Sequence, residues 1–366
     1  MGENKIKKVA FVISSLASGG SERVMSELAS YAAGKNIEVY LILLSYNVCE
    51  YDLDDRVKVI PLCDKVSKYG RLVSPWKRFS ILREELKALK PDIIMSFLYT
   101  VNLYSILAGK FADVPVVISE RNDPKRSPRS KPKRLARRLV YPFADGYIFQ
   151  TDEVKGYFSK KIQDRSWVIP NPVKGNLPHA DRTNVTKDIY AIGRLEEQKN
   201  YPMMISAFKT VWMKHPDYKL HIFGRGFGSG ALQNLKEITA GYGLETSVVF
   251  EGIVNDVHER IKSGTMYVLS SDFEGMPNAL MEAMAMGLPC ISTDCPAGGP
   301  RELINDQENG LLVPVGDAEA MAEAMEKIIS DKAFADRIGE KAKAVRENYS
   351  LERMGRKYLE CLERLL

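Results

Sequence analysis

Residues 270–304 read SSDFEGMPNALMEAMAMGLPCISTDCPAGGPRELI, and the architecture follows from them. A β-type run, Met266-Tyr-Val-Leu-Ser270, leads in. The chain then turns at Gly275, enters a short helix with Pro277 in its first position, and stops at Gly287 before a further strand. This is a strand, loop, helix, strand unit. The N–H groups of Asn278, Ala279 and Leu280 precede the first i to i−4 bond, so together with the helix dipole they suit an anion such as phosphate. Glu274 in the loop and Glu282 in the helix flank that place. A carboxylate beside a phosphate repels it unless it grips something else, and hydroxyls are the natural partners. The set reads as a phosphate with a sugar on each side, although either glutamate alone reads better as a solvated charge.

Working outward, 366 residues with 45% hydrophobic and 27% charged suit two domains, each with its own core. No apolar run reaches membrane-spanning length. The start, KIKKVAFVISSLASGG, imitates a signal peptide. The pattern SERVMSELASYAAG follows at once, with Val24, Leu28 and Tyr31 on one face, so strand, glycine turn, helix is the better reading, and a cytoplasmic protein is expected. Cys49, Cys63, Cys290, Cys295 and Cys361 are scattered without CxxC spacing, which indicates neither a disulfide framework nor a zinc site. Charge is unevenly shared: residues 1–175 carry a balance of +11 and the remainder −6. The first half therefore favours an anionic partner.

In that half, strands are expected at 9–14, 39–44, 57–61, 93–97, 116–119 and 146–150 with helices between, the alternation of an open parallel sheet. Ligands of such sheets sit beyond the carboxyl ends of the strands, which points to 18–20, 97–102 and 119–123. Gly19 and Gly20 lead into a helix capped by Ser21 and make a second anion site, or an ordinary strand-to-helix turn. Two segments are basic. In 65–90, Phe79, Leu82, Leu86 and Leu89 fall at helical spacing beside Lys65, Lys68, Arg71, Lys77 and Arg78. In 125–143, eight basic residues, among them Lys133, Arg134, Arg137 and Arg138, stand with no acid between Lys125 and Arg138. Each reads as a core-packed helix with a solvated basic face. Their concentration in one half favours an anionic membrane surface or an acceptor's pyrophosphate. No nucleic-acid partner is expected, because no DNA- or RNA-reading motif accompanies the charge.

The stretch 171–188 is rich in Pro, Asn and Gly and reads as an interdomain linker. A strand at 189–193 then presents Arg194, and Lys199 follows; an arginine fork and a lysine point charge can neutralise a diphosphate, or simply lie on the surface. Further strands are expected at 219–224 and 309–313, and helices at 318–329 and 333–366. Gly226 to Ala231 satisfies a relaxed G-x-G-x-x-A fingerprint, which leaves a dinucleotide-dependent oxidoreductase as the alternative, with a non-enzymatic anionic-lipid binder as a third reading. No βαβ unit with an acid at the required distance supports the fingerprint. Asp52-Leu53-Asp54 mimics a metal-binding D-x-D in an acidic turn and reads as solvated.

Glu274 and Glu282, with seven residues between them in FEGMPNALMEAMAMGLP, resemble the signature of glycosyltransferase family 4, the retaining nucleotide-sugar transferases of fold B. Gly193-Arg194-Leu195 with Lys199, and the Gly19-Gly20 loop, stand where that family has its own. The resemblance implies an α/β GT-B fold: two Rossmann-like domains with parallel sheets facing a central cleft. These would be an acceptor- and membrane-facing domain at 1–172, a nucleotide-sugar domain at 173–349, and a last helix at 350–366 crossing back. It implies that Gly193, Arg194 and Lys199, with the backbone of Gly19, Gly20, Gly275, Asn278, Ala279 and Leu280, hold the leaving diphosphate. Glu274 would orient the donor sugar and Glu282 the ribose, with no metal or other cofactor and a UDP-sugar as donor. Many relatives place a histidine at the strand end near residue 121. Here Arg121 stands there, and arginine is no base at neutral pH. Its role would be electrostatic, leaving proton removal to Glu120, Asp123 or the leaving phosphate. The segments SFLYTVN, ISERNDP and RRLVYPFAD resemble those of bacterial lipid-linked oligosaccharide N-acetylgalactosaminyltransferases, and capsule or lipopolysaccharide transferases share them. The expected partners are a nucleotide-sugar, a lipid-linked saccharide and the inner face of the cell membrane.

Overall fold

A computed structural model describes residues 5–17, 19–67, 75–226 and 230–366. The chain forms two compact units, Met1–Pro172 with Leu351–Leu366, and Val173–Ser350. The first is built on seven strands: β1 (Lys8–Ile13), β2 (Glu38–Leu43), β3 (Val57–Pro61), β4 (Ile93–Phe97), β5 (Val116–Ser119), β6 (Gly146–Phe149) and β7 (Ser166–Val168). They lie in the order β3-β2-β1-β4-β5-β6-β7, every pair parallel. The central strands are apolar almost throughout because helices cover both faces of such a sheet, and all five residues of β4 are buried. Val9 pairs with Val39 on one side and Ile93 on the other, so the order reverses at β1 and the crevice of this unit opens beyond β1 and β4.

The second unit carries β8 (Asp188–Ile192), β9 (Lys219–Phe223), β10 (Val248–Gly252), β11 (Met266–Leu269), β12 (Cys290–Thr293) and β13 (Leu311–Val313), again all parallel. Their order is β10-β9-β8-β11-β12-β13, which puts the reversal between β8 and β11. Both strands of that pair run into the stretches with the Arg-Lys and paired-glutamate patterns. The helix Asn278–Met286 packs behind them with Leu280, Met281, Met284 and Met286 buried. It ends on Gly287 at φ 93°, the left-handed cap that glycine adopts without cost.

Several expectations need correction. Pro277 is the N-cap of its helix, and Asn278 is the first helical residue. The first long helix spans Gly20–Gly34 with extended Gly19 as its cap, so Ser21 lies inside the first turn and caps nothing. The stretch 173–188 is not a slack linker. Ala180 N–H donates to the Met286 carbonyl, Asp181 to Lys262 and Thr186 to Ser263, while Arg182 reaches both Gly264 O and Asp336. Val173 and Leu177 of the stretch are themselves buried. The short edge strands β7 and β10, half-buried and without a sustained apolar run, carried no signal in the sequence. The last helical region divides into Lys332–Ala342, Ala344–Asn348 and Leu351–Glu363. Among the described residues no helix is long and apolar enough to cross a membrane.

Candidate active site

At the reversal point of the second sheet, two loops are stitched into one surface. After β8 the chain passes Gly193 and Arg194 into the tight turn Glu197–Lys199, and Asn200, at φ 44°, caps the helix Tyr201–Trp212 by accepting from Met203 N–H. After β11 comes Ser270 to Glu274. Asp272 N–H donates to Gln198 O, Gln198 Nε2 to Phe273 O, Ser270 Oγ to Lys199 O, and Asn200 Nδ2 to Asp272 Oδ1 at 2.7–2.8 Å. The backbone of each loop is thus satisfied by the other, as buried irregular chain requires.

The product of that stitching is an ion pair. Lys199 Nζ lies 2.6 Å from Glu274 Oε1, which also accepts from Ser271 Oγ at 2.7 Å. The side chains are only 16% and 10% exposed. A fixed ammonium beside a fixed carboxylate offers donors to an anion and an acceptor to hydroxyls at one spot. Tyr201 OH donates to Gly193 O at 3.0 Å and holds the strand end, while burial pushes its own pKa far upward so that it stays a donor. Glycine is required twice here. A Cβ at Gly224, where φ is 137°, would overlap the Gly193 carbonyl, and one at Gly299 would overlap the carbonyl of Gly275. Glu274 N–H closes the same loop onto Pro296 O.

Arg194 is placed differently. Its guanidinium pairs with Glu196 at 3.1 Å and is 55% exposed, so it stands at the edge of this constellation and not in its packed centre. The N–H groups of Asn278, Ala279 and Leu280 precede the first helical bond, which Met281 makes to Pro277 O. Glu282, one turn in, pairs directly with His258 Nε2 at 2.8 Å, each side chain 12% exposed. His258, Ser271, Gln198 and Tyr201 were not foreseen from the sequence.

In the first unit the loop after β1 is clamped by Tyr51, whose OH accepts from Gly19 N–H at 2.8 Å and donates to Gly19 O at 2.7 Å. Gly20 begins the helix. After β4, Leu98 is held at φ 76°, ψ 137°, a region that disfavours a branched side chain and marks a constrained strand end. Glu120 and Arg121 follow β5, and their ion pairing is not with each other. Glu120 is buried, accepts from Tyr141 OH at 3.0 Å and lies 3.9 Å from Arg137. Burial raises its pKa to about 7 against the opposing pull of Arg137 and Tyr141. Arg121 stacks on the Phe97 ring at 3.4 Å and donates to Asn171 Oδ1 and Tyr358 OH. The charge is spread over buried polar and aromatic groups of its own unit.

The basic segments need the largest revision. Lys68 and Arg71 lie outside the described residues. Lys77 and Arg78 are half-buried on the helix Pro75–Leu89. Arg137 is 3% exposed and cannot serve a docking face: it donates to Ser127 O, Pro124 O and Tyr157 OH, fastening the 120–128 loop. Lys133, Arg134 and Arg138 remain exposed. Of the two decoys, Asp54 is neutralised by Arg56, and the 226–231 fingerprint falls partly on residues 227–229, outside the described residues.

Two family descriptions match: Glycosyltransferase Family 4 over residues 18–174 and Glycosyl transferases group 1 over residues 181–345, together spanning most of the chain. The chain belongs to the family 4, group 1 glycosyltransferases. This glycosyltransferase is 29% identical over 364 residues, 97% of its own length and 98% of the other, to a GalNAc-alpha-(1->4)-GalNAc-alpha-(1->3)-diNAcBac-PP-undecaprenol alpha-1,4-N-acetyl-D-galactosaminyltransferase of Campylobacter jejuni. A second Campylobacter jejuni protein, an N-acetylgalactosamine-N,N'-diacetylbacillosaminyl-diphospho-undecaprenol 4-alpha-N-acetylgalactosaminyltransferase, is 28% identical, with 97% of this chain and all of that one covered. Among solved structures, Anabaena HepE in complex with UDP and glucose superposes with a TM-score of 0.82 at 19% identity, covering 98% and 99% of the two chains. The two parallel-sheet units are those of the GT-B fold.

Proposed function

We propose that this glycosyltransferase moves a hexose or N-acetylhexosamine from a UDP-sugar to a polyprenyl-diphosphate-linked saccharide, with retention of anomeric configuration and without a metal, in the assembly of a bacterial surface glycan. The observation that carries the donor reading is the Lys199–Glu274 pair at the β8/β11 reversal, beside the start of the helix Asn278–Met286. Charge develops on the departing diphosphate in the transition state. Lys199 and the helix start stabilise it there, and Arg194 reaches in from the edge. These cations take the part a divalent metal would play. Glu274 accepts hydrogen bonds from the sugar hydroxyls and Glu282 from the ribose. With retention, the acceptor hydroxyl enters on the face the phosphate leaves, and the leaving phosphate oxygen is the base to hand. The acceptor class rests on the two Campylobacter relatives and on the positive balance of residues 1–175, which also suits an anionic membrane surface as a partner.

A panel of nucleotides scored by thermal shift, followed by turnover with UDP-N-acetylhexosamines and a polyprenyl-diphosphate-linked saccharide, tests this reading. Stabilisation by UDP above other nucleotides, and product of unchanged anomeric configuration, is the expected result. Stabilisation by a nicotinamide dinucleotide in place of UDP would reject it.

A further inference from the structure

The helix Asn278–Met286 opens on one face only. Of its nine residues, all but Asn278, Ala279 and Glu282 are buried, and those three lie side by side at i, i+3 and i+4 spacing. The leading N–H groups and the Glu282 carboxylate therefore share a face, and Asn278 and Glu282 stand about 6 Å apart along the axis at 1.5 Å per residue. A pentose attached to a phosphate at the helix start spans that distance. His258 borders this face, its Nε2 2.8 Å from Glu282 Oε2, with both side chains 12% exposed. A carboxylate only accepts, so Nε2 carries the proton, and the pair fixes the tautomer of the ring and the rotamer of the carboxylate together. The contact takes one of about four acceptor positions on the carboxylate, which suits it to receive hydroxyls as well. The short helix Val257–Ile261 that carries His258 has other anchors. Ile261 is fully buried, Val257 packs against the cluster of Leu280, Met281 and Met284, and Asp181 N–H donates to Lys262 O just past the helix end. With the helix already held, what the pair adds is the aim of Glu282.

We infer that His258 is a positioning residue for the donor's nucleoside: it aims Glu282 at the 2′- and 3′-hydroxyls, so that the site takes a ribonucleoside diphosphate and rejects its 2′-deoxy counterpart. The inference rests on the reading that UDP sits here with Glu282 on its ribose, and it names the residue that makes this carboxylate selective. A carboxylate held in one rotamer before binding spends no further entropy on meeting the hydroxyls. When one hydroxyl is missing, an oriented and nearly buried acceptor is left short of a donor, which is how a polar site discriminates. Without the imidazole N–H the carboxylate turns freely, and the two nucleotides are held alike.

Dissociation constants of UDP and 2′-deoxy-UDP are measured by calorimetry on the full chain, on His258→Phe, which keeps a ring without the N–H, and on His258→Gln, whose amide donates at similar reach. The parent should prefer UDP by about tenfold. His258→Phe should weaken UDP about tenfold and 2′-deoxy-UDP no more than about twofold, so the preference falls to about twofold or less, while His258→Gln keeps most of it. Under turnover the loss should fall on the donor KM and spare kcat. If His258→Phe does not fold, ring NMR on the parent decides: among the four histidines, the Nε2–H resonance that His258→Gln removes should shift with UDP and less with 2′-deoxy-UDP. Equal weakening of both nucleotides would make His258 a structural brace and overturn the inference. So would a parent without preference, loss of the preference in His258→Gln, or a resonance that answers both nucleotides alike. UDP binding with its preference intact in His258→Phe refutes the role of His258 and leaves the donor reading standing. A parent that binds neither nucleotide removes the donor reading, and the inference with it.

Discussion

Replacing Lys199 with methionine keeps the length of the side chain and removes its charge, leaving Glu274 buried beside Ser271 alone. Removing one partner of a fully buried ion pair costs about 3–5 kcal/mol. Here the pair retains 16% and 10% exposure, and Ser271 still donates to the carboxylate, so about 2–3 kcal/mol is expected. For a unit the size of residues 173–350 this lowers Tm by about 4–12 °C. Glu274→Gln keeps an oxygen for both donors and should cost about 1 kcal/mol. The double variant Lys199→Met, Glu274→Leu removes both charges and should recover most of the loss, while turnover stays down by about 10² or more. Urea unfolding of the parent, Lys199→Met, Glu274→Leu and the double variant closes the cycle and gives the coupling energy directly. A coupling under about 0.5 kcal/mol would refute the claim that these residues act as one unit.

Arg194→Ala should leave stability within about 1 kcal/mol, because its pair with Glu196 is exposed, yet cut turnover by about 10²; near-parental turnover would remove Arg194 from the chemistry. Gly299→Ala must displace the Gly275 carbonyl, so UDP stabilisation should fall by more than the protein's own Tm does, and an unchanged UDP shift would count against the close approach. Glu120, with its folded pKa raised to about 7, binds a proton in the folded state that the unfolded chain has released above about 4.5. Its contribution is therefore full at low pH and declines as pH rises through that window, by about 3 kcal/mol, and Glu120→Gln should flatten the decline in urea midpoints. At His221, burial pulls the pKa down, but hydrogen bonds with Asp188 and Glu251 outweigh it and leave it raised. The stability this adds is present below the ordinary value of 6.5 and lost as pH rises through the folded value; His221→Gln should abolish that loss, and an unaltered pH profile would argue against it.

Strand positions were legible because buried parallel strands are continuous apolar runs, and the paired glutamates and the Gly-Arg-Leu stretch were legible because their spacing is local. What stayed hidden depends on contacts across the chain. Tyr51 meets Gly19 over 32 residues and His258 meets Glu282 over 24, with no pattern to announce either. The basic run at 125–138 misled for another reason. Eight like charges read as one solvated surface, yet helical phase turned Arg137 inward and Leu135 and Leu139 outward, against the usual sorting. Composition likewise made 171–188 look slack, whereas its backbone groups find partners along the second unit.

The helix Leu351–Glu363 is counted with the first unit although the whole second unit separates them in sequence. Tyr358 from that helix accepts from the buried Arg121 and donates to Ile169 O, and Gly355 lets it lie against Tyr31. On the ribosome, residues 1–172 must therefore wait while 173–350 are made, roughly ten to forty seconds at ordinary elongation rates. Until the final segment emerges, the Arg121 guanidinium lacks one of its acceptors and an apolar flank stays open to water. The nascent chain is most exposed to misassembly and to chaperone capture in that interval, and losing the helix Leu351–Glu363 would injure a unit built mostly from residues far upstream of it.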